Sequence, residues 1–183
     1  MASSAPEPPS PRAREIVAAA RALLEEQGAD ALSMRRLADR LGIRAPSIYK
    51  HLPDKRSLEA ALISEAFEET AVAFAAAVEG AEEPLVALAA AYRDFARGHP
   101  HLYRLMTERP LARELLAPGA EARAAQPLLD AVGGDADRAR AAWAFAHGMT
   151  ILELNGRFPP GADLDAAWRR GLEALASEVE PQP

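Results

Sequence analysis

Residues 33–51 read SMRRLADRLGIRAPSIYKH, and the fold turns on how they are divided. Ser33 carries the side-chain oxygen of a helix N-cap. Behind it, Met34, Leu37, Ala38 and Leu41 recur at three- and four-residue intervals, so a helix with one apolar face is expected here. Gly42 can adopt the left-handed conformation that ends it. Ala45 or Pro46 then opens a short third helix through about His51, because proline is tolerated in a first turn where its missing N–H is not needed. Ile43 and Ile48 anchor that helix inward. A helix, a glycine-bearing turn and a short helix make a helix-turn-helix, whose second helix can enter a DNA major groove while the first crosses the backbone.

The same periodicity extends outward. A first helix is expected over about 12–27, with Ile16, Ala20, Leu23 and Leu24 on one face and Gly28 as its stop. Asp54 caps a long helix to about Glu79, with Leu58, Leu62, Phe67 and Phe74 as its buried stripe. Beyond Gly80, breakers at Pro84, Gly98, Pro100, Pro110, Pro118, Gly119, Gly133 and Gly134 separate about five more helices. Leu85, Leu88, Tyr92 and Phe95 line one, and Leu128, Leu129 and Val132 close another. Two longer helices run from Asp135 to Gly156 and from Asp163 to about Glu178, joined by RFPPGAD. No strand and no fixed-period repeat is evident, so the expected fold is all-α with about nine helices.

Composition narrows the function. In a chain of 183 residues, 49% hydrophobic, a real core can form. The absence of cysteine excludes disulfides, thiolate metal sites and cysteine nucleophiles and suits a reducing cytoplasm. No apolar run approaches a membrane span, and MASSAPEPPSPR lacks the pattern of an export signal, so neither a membrane partner nor secretion is expected. The net charge is −6, but it is unevenly spread. Residues 1–60 hold ten Lys or Arg against eight Asp or Glu, and residues 61–183 hold eleven against nineteen. Within residues 33–56 the count is seven against two, a confined anion-binding surface in an acidic protein.

That surface divides by chemistry. Arg44, Ala45, Pro46, Ser47 and Lys50 are the candidates for base edges: Arg or Lys reaches guanine O6 and N7, Ser pairs with any base, and Ala or Pro touches a thymine methyl. Arg35, Tyr49, His51 and Lys55 have the reach for phosphate oxygens, helped by the N–H groups of the helices starting at Ser33 and Asp54. The stretch ALSMRRLADRLGIRAPSIYKHLPDKRSLEAAL, residues 31–62, resembles the N-terminal DNA-binding domain of the TetR family of bacterial transcriptional regulators. Its Ser-Met-Arg, Leu-Gly-Ile, Tyr-x-His and Lys-x-x-Leu elements keep the family's order and spacing over roughly residues 12–65. The resemblance implies backbone contacts from Tyr49, His51 and Lys55 and a recognition helix from Arg44 to Lys50. Leu52 departs from a usual aromatic, a packing substitution. Arg44 stands where a small hydroxyl residue is common, so no operator sequence can be borrowed from relatives.

The resemblance further implies a homodimer on an approximately palindromic double-stranded operator, with reading heads about 34–36 Å or more apart, and release by a small molecule. WAFAHG, residues 143–148, resembles the Trp-x-x-x-His-Gly signature of one C-terminal domain type of the family, which senses ligands and dimerises. The expected organisation is a tail at 1–11, a reading head at 12–57, an effector-binding and dimerisation domain at 58–178 that begins with a linking helix at 58–79, and a tail at 179–183. Ala142, Ala146 and Met149, with Leu164, Trp168, Leu172 and Leu175, are the candidate dimer interface; Trp143, His147, Thr150 and Leu154 form a second apolar face. Phe67, Tyr92, Phe95, His99, Tyr103, Met106, Trp143 and His147 are the candidate effector pocket, although such stripes also build ordinary core. His99, His101 and Glu108 lack the spacing of a metal site. Glu153 is expected to pair with Arg157, its i+4 neighbour. No catalytic or cofactor fingerprint is present, which leaves an enzyme using His147 and Glu153 as a minor reading and no cofactor implied. The alternative from another class is a helical interaction module that keeps a helix-turn-helix without binding DNA.

Overall fold

A computed structural model describes residues 10–176. Among them the chain forms nine α-helices and no strand: α1 Pro11–Gln27, α2 Met34–Leu41, α3 Ala45–Tyr49, α4 Lys55–Val78, α5 Pro84–Gly98, α6 Pro100–Thr107, α7 Ala120–Ala131, α8 Ala136–Leu154 and α9 Leu164–Ala176. The expected all-α architecture and helix count hold. Of the expected tails at 1–11 and 179–183, residues 1–9 and 179–183 lie outside the described residues, as does the end of the last helix near Glu178, while Ser10 and Pro11 belong to the start of α1.

Local chemistry explains the starts and stops. The Ser10 hydroxyl accepts from the Ala13 N–H at 3.2 Å, and Pro11 takes the first turn, so α1 begins one residue earlier than expected. Ser33 caps α2 by accepting from the Arg36 N–H at 3.3 Å. Gly42 ends α2 at φ +64°, and the Ile43 N–H closes the turn onto the Ala38 carbonyl at 3.0 Å. Asp54 accepts from both the N–H and the hydroxyl of Ser57, at 2.7 and 2.8 Å, at the start of α4. α3 ends at Tyr49 and not near His51. The His51 and Leu52 N–H groups both turn back onto the Ile48 carbonyl at 2.9 Å, and Pro53 then disfavours a further helical residue before it.

The chain divides into two compact units: the chain up to Glu68 with His99–Glu121, and Glu69–Gly98 with the chain from Ala122 onward. The first unit packs α1 against α2 and α6, and α2 against α3. Ile16, Leu24, Leu37, Ile48, Leu58, Leu62 and Leu102 are buried there. The Ser64 hydroxyl donates to the Ala60 carbonyl at 2.7 Å and accepts from the Ala117 N–H at 2.9 Å, which fastens the segment after α6 to α4.

In the second unit α5, α8 and α9 pack on one another. Leu85, Ala89, Val132, Ala142, Ala146, Trp168 and Leu172 form its core. α8 and α9 approach closely at Gly171, where an added Cβ would fall 2.1 Å from the Phe145 ring. That ring meets Trp168 edge-on, with centroids 5.5 Å apart. Arg93 lies 5.8 Å over Trp168 and donates to both carboxylate oxygens of Glu153, at 2.8 and 3.1 Å, and to Asp165 at 2.6 Å. Glu153 therefore pairs with Arg93, and with Arg97 at 3.8 Å, not with Arg157 as its spacing suggested. Tertiary packing delivers a cation to Glu153 that its own helix was expected to supply.

Candidate nucleic-acid interface

α3 is fixed from below and open above. Ile48 is fully buried and Leu52 nearly so, whereas Arg44, Pro46, Ser47, Tyr49, Lys50 and His51 are exposed. Arg44 occupies the N-cap position in an extended conformation, Ala45 and Pro46 form the first turn, and the Ser47 N–H donates to the Arg44 carbonyl at 2.9 Å. Tyr49 closes the helix with 49% of its surface exposed. Lys50 and His51 follow immediately. The structure thus brings the expected base-reading residues together on one short element.

The cations around this element fall into two groups. Arg40 donates to both carboxylate oxygens of Glu26, at 2.7 and 2.6 Å, which ties α2 to the end of α1. That pairing holds the Glu26 carboxyl below its usual range. Lys55 lies 3.7 Å from Glu59, and Arg56 3.0 Å from Glu114. Arg35, Arg36, Arg44 and Lys50 are exposed, and among the described residues no carboxylate pairs with them. Arg36 was not among the residues singled out from the sequence. Its only signal there was a place on the polar face of α2 shared with Arg40, and only the Glu26 pairing separates the two.

The helix termini are less open than the sequence suggested. At α2 the Ser33 hydroxyl already takes the Arg36 N–H. At α4 Asp54 takes the Ser57 N–H and hydroxyl, which hold its carboxyl below the usual range, so that end carries a negative charge beside Lys55 and Arg56. His51 has a local partner: its Nδ1 lies 3.3 Å from the Ser10 hydroxyl.

The candidate pocket residues belong to different units. Phe67, His99, Tyr103 and Met106 fall in the first, and Tyr92, Phe95, Trp143 and His147 in the second. Tyr103 is a core residue at 2% exposure. His99 Nδ1 faces Glu25 at 3.5 Å, and the His101 ring lies over Gly28. Tyr92 packs near Phe74, with ring centroids 6.1 Å apart. Trp143 stands 50% exposed, with His147 stacked on it at 6.1 Å. Thr150, expected on an apolar face, and Trp168, expected at the dimer interface, each bury a polar atom without a hydrogen-bond partner, Oγ1 and Nε1.

The candidate dimer residues divide by burial. Ala142, Ala146, Trp168 and Leu172 are between 2% and 7% exposed inside the second unit's own core, with Met149 and Leu175 packed against it and Leu164 half-buried. The four buried side chains have little surface left for a partner, whereas Met149, Leu164 and Leu175 keep part of theirs. α8 does carry two apolar faces, but the inward one holds Ala142 and Ala146, and the large apolar groups it leaves exposed are Trp143 and Leu152, at 50% and 42%.

Comparison with known proteins agrees with this geometry at both ends of the chain. A family model described as bacterial regulatory proteins, tetR family, matches residues 16–62, and one described as a tetracyclin repressor-like C-terminal domain matches residues 85–175. An uncharacterized HTH-type transcriptional regulator of Mycobacterium tuberculosis is 30% identical, covering 94% of this chain and 84% of its own. The class A tetracycline repressor protein from transposon 1721 of Escherichia coli is 47% identical over 47 residues, 26% of this chain and 22% of that protein. Among solved structures, a protein of unknown function from Rhodococcus sp. RHA1 superposes with a TM-score of 0.75 at 29% identity, covering 91% of this chain and 94% of the other. Among the described residues no helix is long and apolar enough to cross a membrane. With a helix-turn-helix of this form and relatives matched along nearly its whole length, the chain belongs to the TetR family of bacterial transcriptional regulators.

Proposed function

We propose that the protein is a cytoplasmic, homodimeric repressor that grips an approximately palindromic operator and releases it when a small molecule binds its C-terminal helices. The observation that carries this reading is the set of four exposed, unpaired cations, Arg35, Arg36, Arg44 and Lys50, on and beside a short helix anchored through Ile48. Cations without carboxylate partners are free to replace the counterions of phosphates or to reach base edges. Residues 12–57 act as the reading head, with Arg44 to Lys50 reading and Arg35, Tyr49, His51 and Lys55 gripping. Residues 58–178 carry effector binding and dimerisation.

The partner-facing surface includes the exposed Trp143 and Leu152 of α8. The effector is apolar or amphipathic, and Thr150 Oγ1 and Trp168 Nε1 are two buried polar atoms of the second unit with hydrogen bonds left to offer it. Release follows if the effector binds the off-DNA arrangement more tightly, since equal affinity shifts nothing. The similarity of the helix-turn-helix to a tetracycline repressor supports repression as its mode.

A gel shift on DNA upstream of the protein's own gene tests the assignment. Tyr49→Ala should weaken all sequences alike, and Lys50→Ala should change which sequence is preferred. Both variants binding as tightly as the wild type would sink it.

A further inference from the structure

His51 and Ser10 are 41 residues apart, yet the Ser10 hydroxyl lies 3.3 Å from His51 Nδ1. The same hydroxyl accepts from the Ala13 N–H at 3.2 Å as the cap of α1. A serine hydroxyl has one proton and two lone pairs. One lone pair is taken by Ala13, which leaves the hydroxyl proton and a second lone pair, so the contact closes either with the hydroxyl donating to Nδ1 or with Nδ1–H donating to the hydroxyl; only the first uses the hydroxyl proton, for which the described residues offer no other acceptor. A neutral imidazole that accepts at Nδ1 carries its own proton on Nε2.

The geometry points to Ser10 as a positioning residue: a relay from Ala13 N–H through the Ser10 hydroxyl to His51 Nδ1 fixes His51 as the Nε2–H tautomer, a donor aimed away from Ser10 and available to a DNA phosphate. The phosphate step rests on the operator-binding reading above; the tautomer does not. Ring orientation and proton position are thus set by a residue outside the helix-turn-helix. Without the relay, an exposed imidazole would divide its proton between the two nitrogens and rotate freely.

Ring nitrogen NMR on the full chain at pH 8, without DNA, reads the tautomer directly. The wild type should show the unprotonated nitrogen at Nδ1 of His51. Ser10→Ala should lose that bias, Ser10→Thr should restore it with both cap and hydroxyl proton, and Ser10→Asp should keep the cap while moving a proton to Nδ1. Binding to a DNA duplex at low salt provides the second readout, because phosphate contacts need no particular sequence. Ser10→Ala should weaken it by about three- to tenfold, because a donor tautomer populated only in part lowers the affinity by that fraction in each of two subunits, and should add nothing in a His51→Ala background. A wild-type His51 protonated at Nδ1 overturns the relay. So does an equal loss from Ser10→Ala with and without His51, which would mark Ser10 as a helix cap alone. A tautomer that follows Ser10 in a chain that binds no duplex at all keeps the relay and overturns the operator reading.

Discussion

Arg35 and Arg40 sit five residues apart on α2 with opposite surroundings, and replacing each by alanine should separate DNA contact from net charge. Arg35 is exposed with no carboxylate partner, whereas Arg40 is held by both oxygens of Glu26. Binding affinity falls with salt as a power law whose exponent is about 0.9 times the number of phosphate charges neutralised. In the limit that all four unpaired cations of each subunit of a homodimer, the base readers Arg44 and Lys50 included, also neutralise a phosphate, log K against log salt reaches a slope of about −7, and affinity drops roughly 10⁴-fold between 50 and 200 mM salt. Arg35→Ala removes one contact per subunit, so the slope flattens by about 2 and the drop becomes roughly 10³-fold. Arg40→Ala changes the net charge equally but releases an internal pair, so its slope stays at the wild-type value. Fluorescence anisotropy of a labelled duplex over a salt series measures all three slopes. If Arg40→Ala flattened the line as much as Arg35→Ala, the division into paired and unpaired cations would be wrong, and a wild-type slope near zero would favour an interaction module over a DNA binder.

Two further outcomes follow from the packing and capping. Gly171→Ala places a methyl 2.1 Å from the Phe145 ring, and the ring must leave its edge-on contact with Trp168; a loss of about 1–3 kcal/mol is expected by denaturant unfolding, partly recovered by adding Phe145→Leu. Asp54 and Asp135 have carboxyls held below the usual range, chiefly by the backbone N–H groups of Ser57 and Arg138. A depressed carboxyl stabilises the fold above its unfolded pKa of about 3.9 and loses that contribution as pH falls through the folded value, so Asp54→Asn and Asp135→Asn should flatten the acid side of the melting profile below about pH 4.

Much of the fold is legible from residues close in sequence, because helix starts, stops and inner faces are local matters. Ser33, Gly42 and Asp54 act as their types and spacing imply, and Ile48 is buried where the pattern puts it. α3 stops two residues short of His51 because the His51 and Leu52 N–H groups both return to the Ile48 carbonyl in a closing turn ahead of Pro53. The reading element was likewise visible, since its exposed positions all lie within one short segment.

The sequence by itself determined an all-α chain with a helix-turn-helix and the identity of the side chains on its open face, since these depend on contacts within a few residues. Only the tertiary structure decided which cations remain available, for Arg40 is withdrawn by a glutamate 14 residues away while Arg36 is not. It also decided which apolar face of α8 is core, placing Ala142 and Ala146 inside and leaving Trp143 outside. Glu153 found its arginine 60 residues away and His51 its serine 41 residues away. Two apolar faces on one helix, or two arginines on one polar face, are equivalent by periodicity, and only the neighbours delivered by the folded chain make them different.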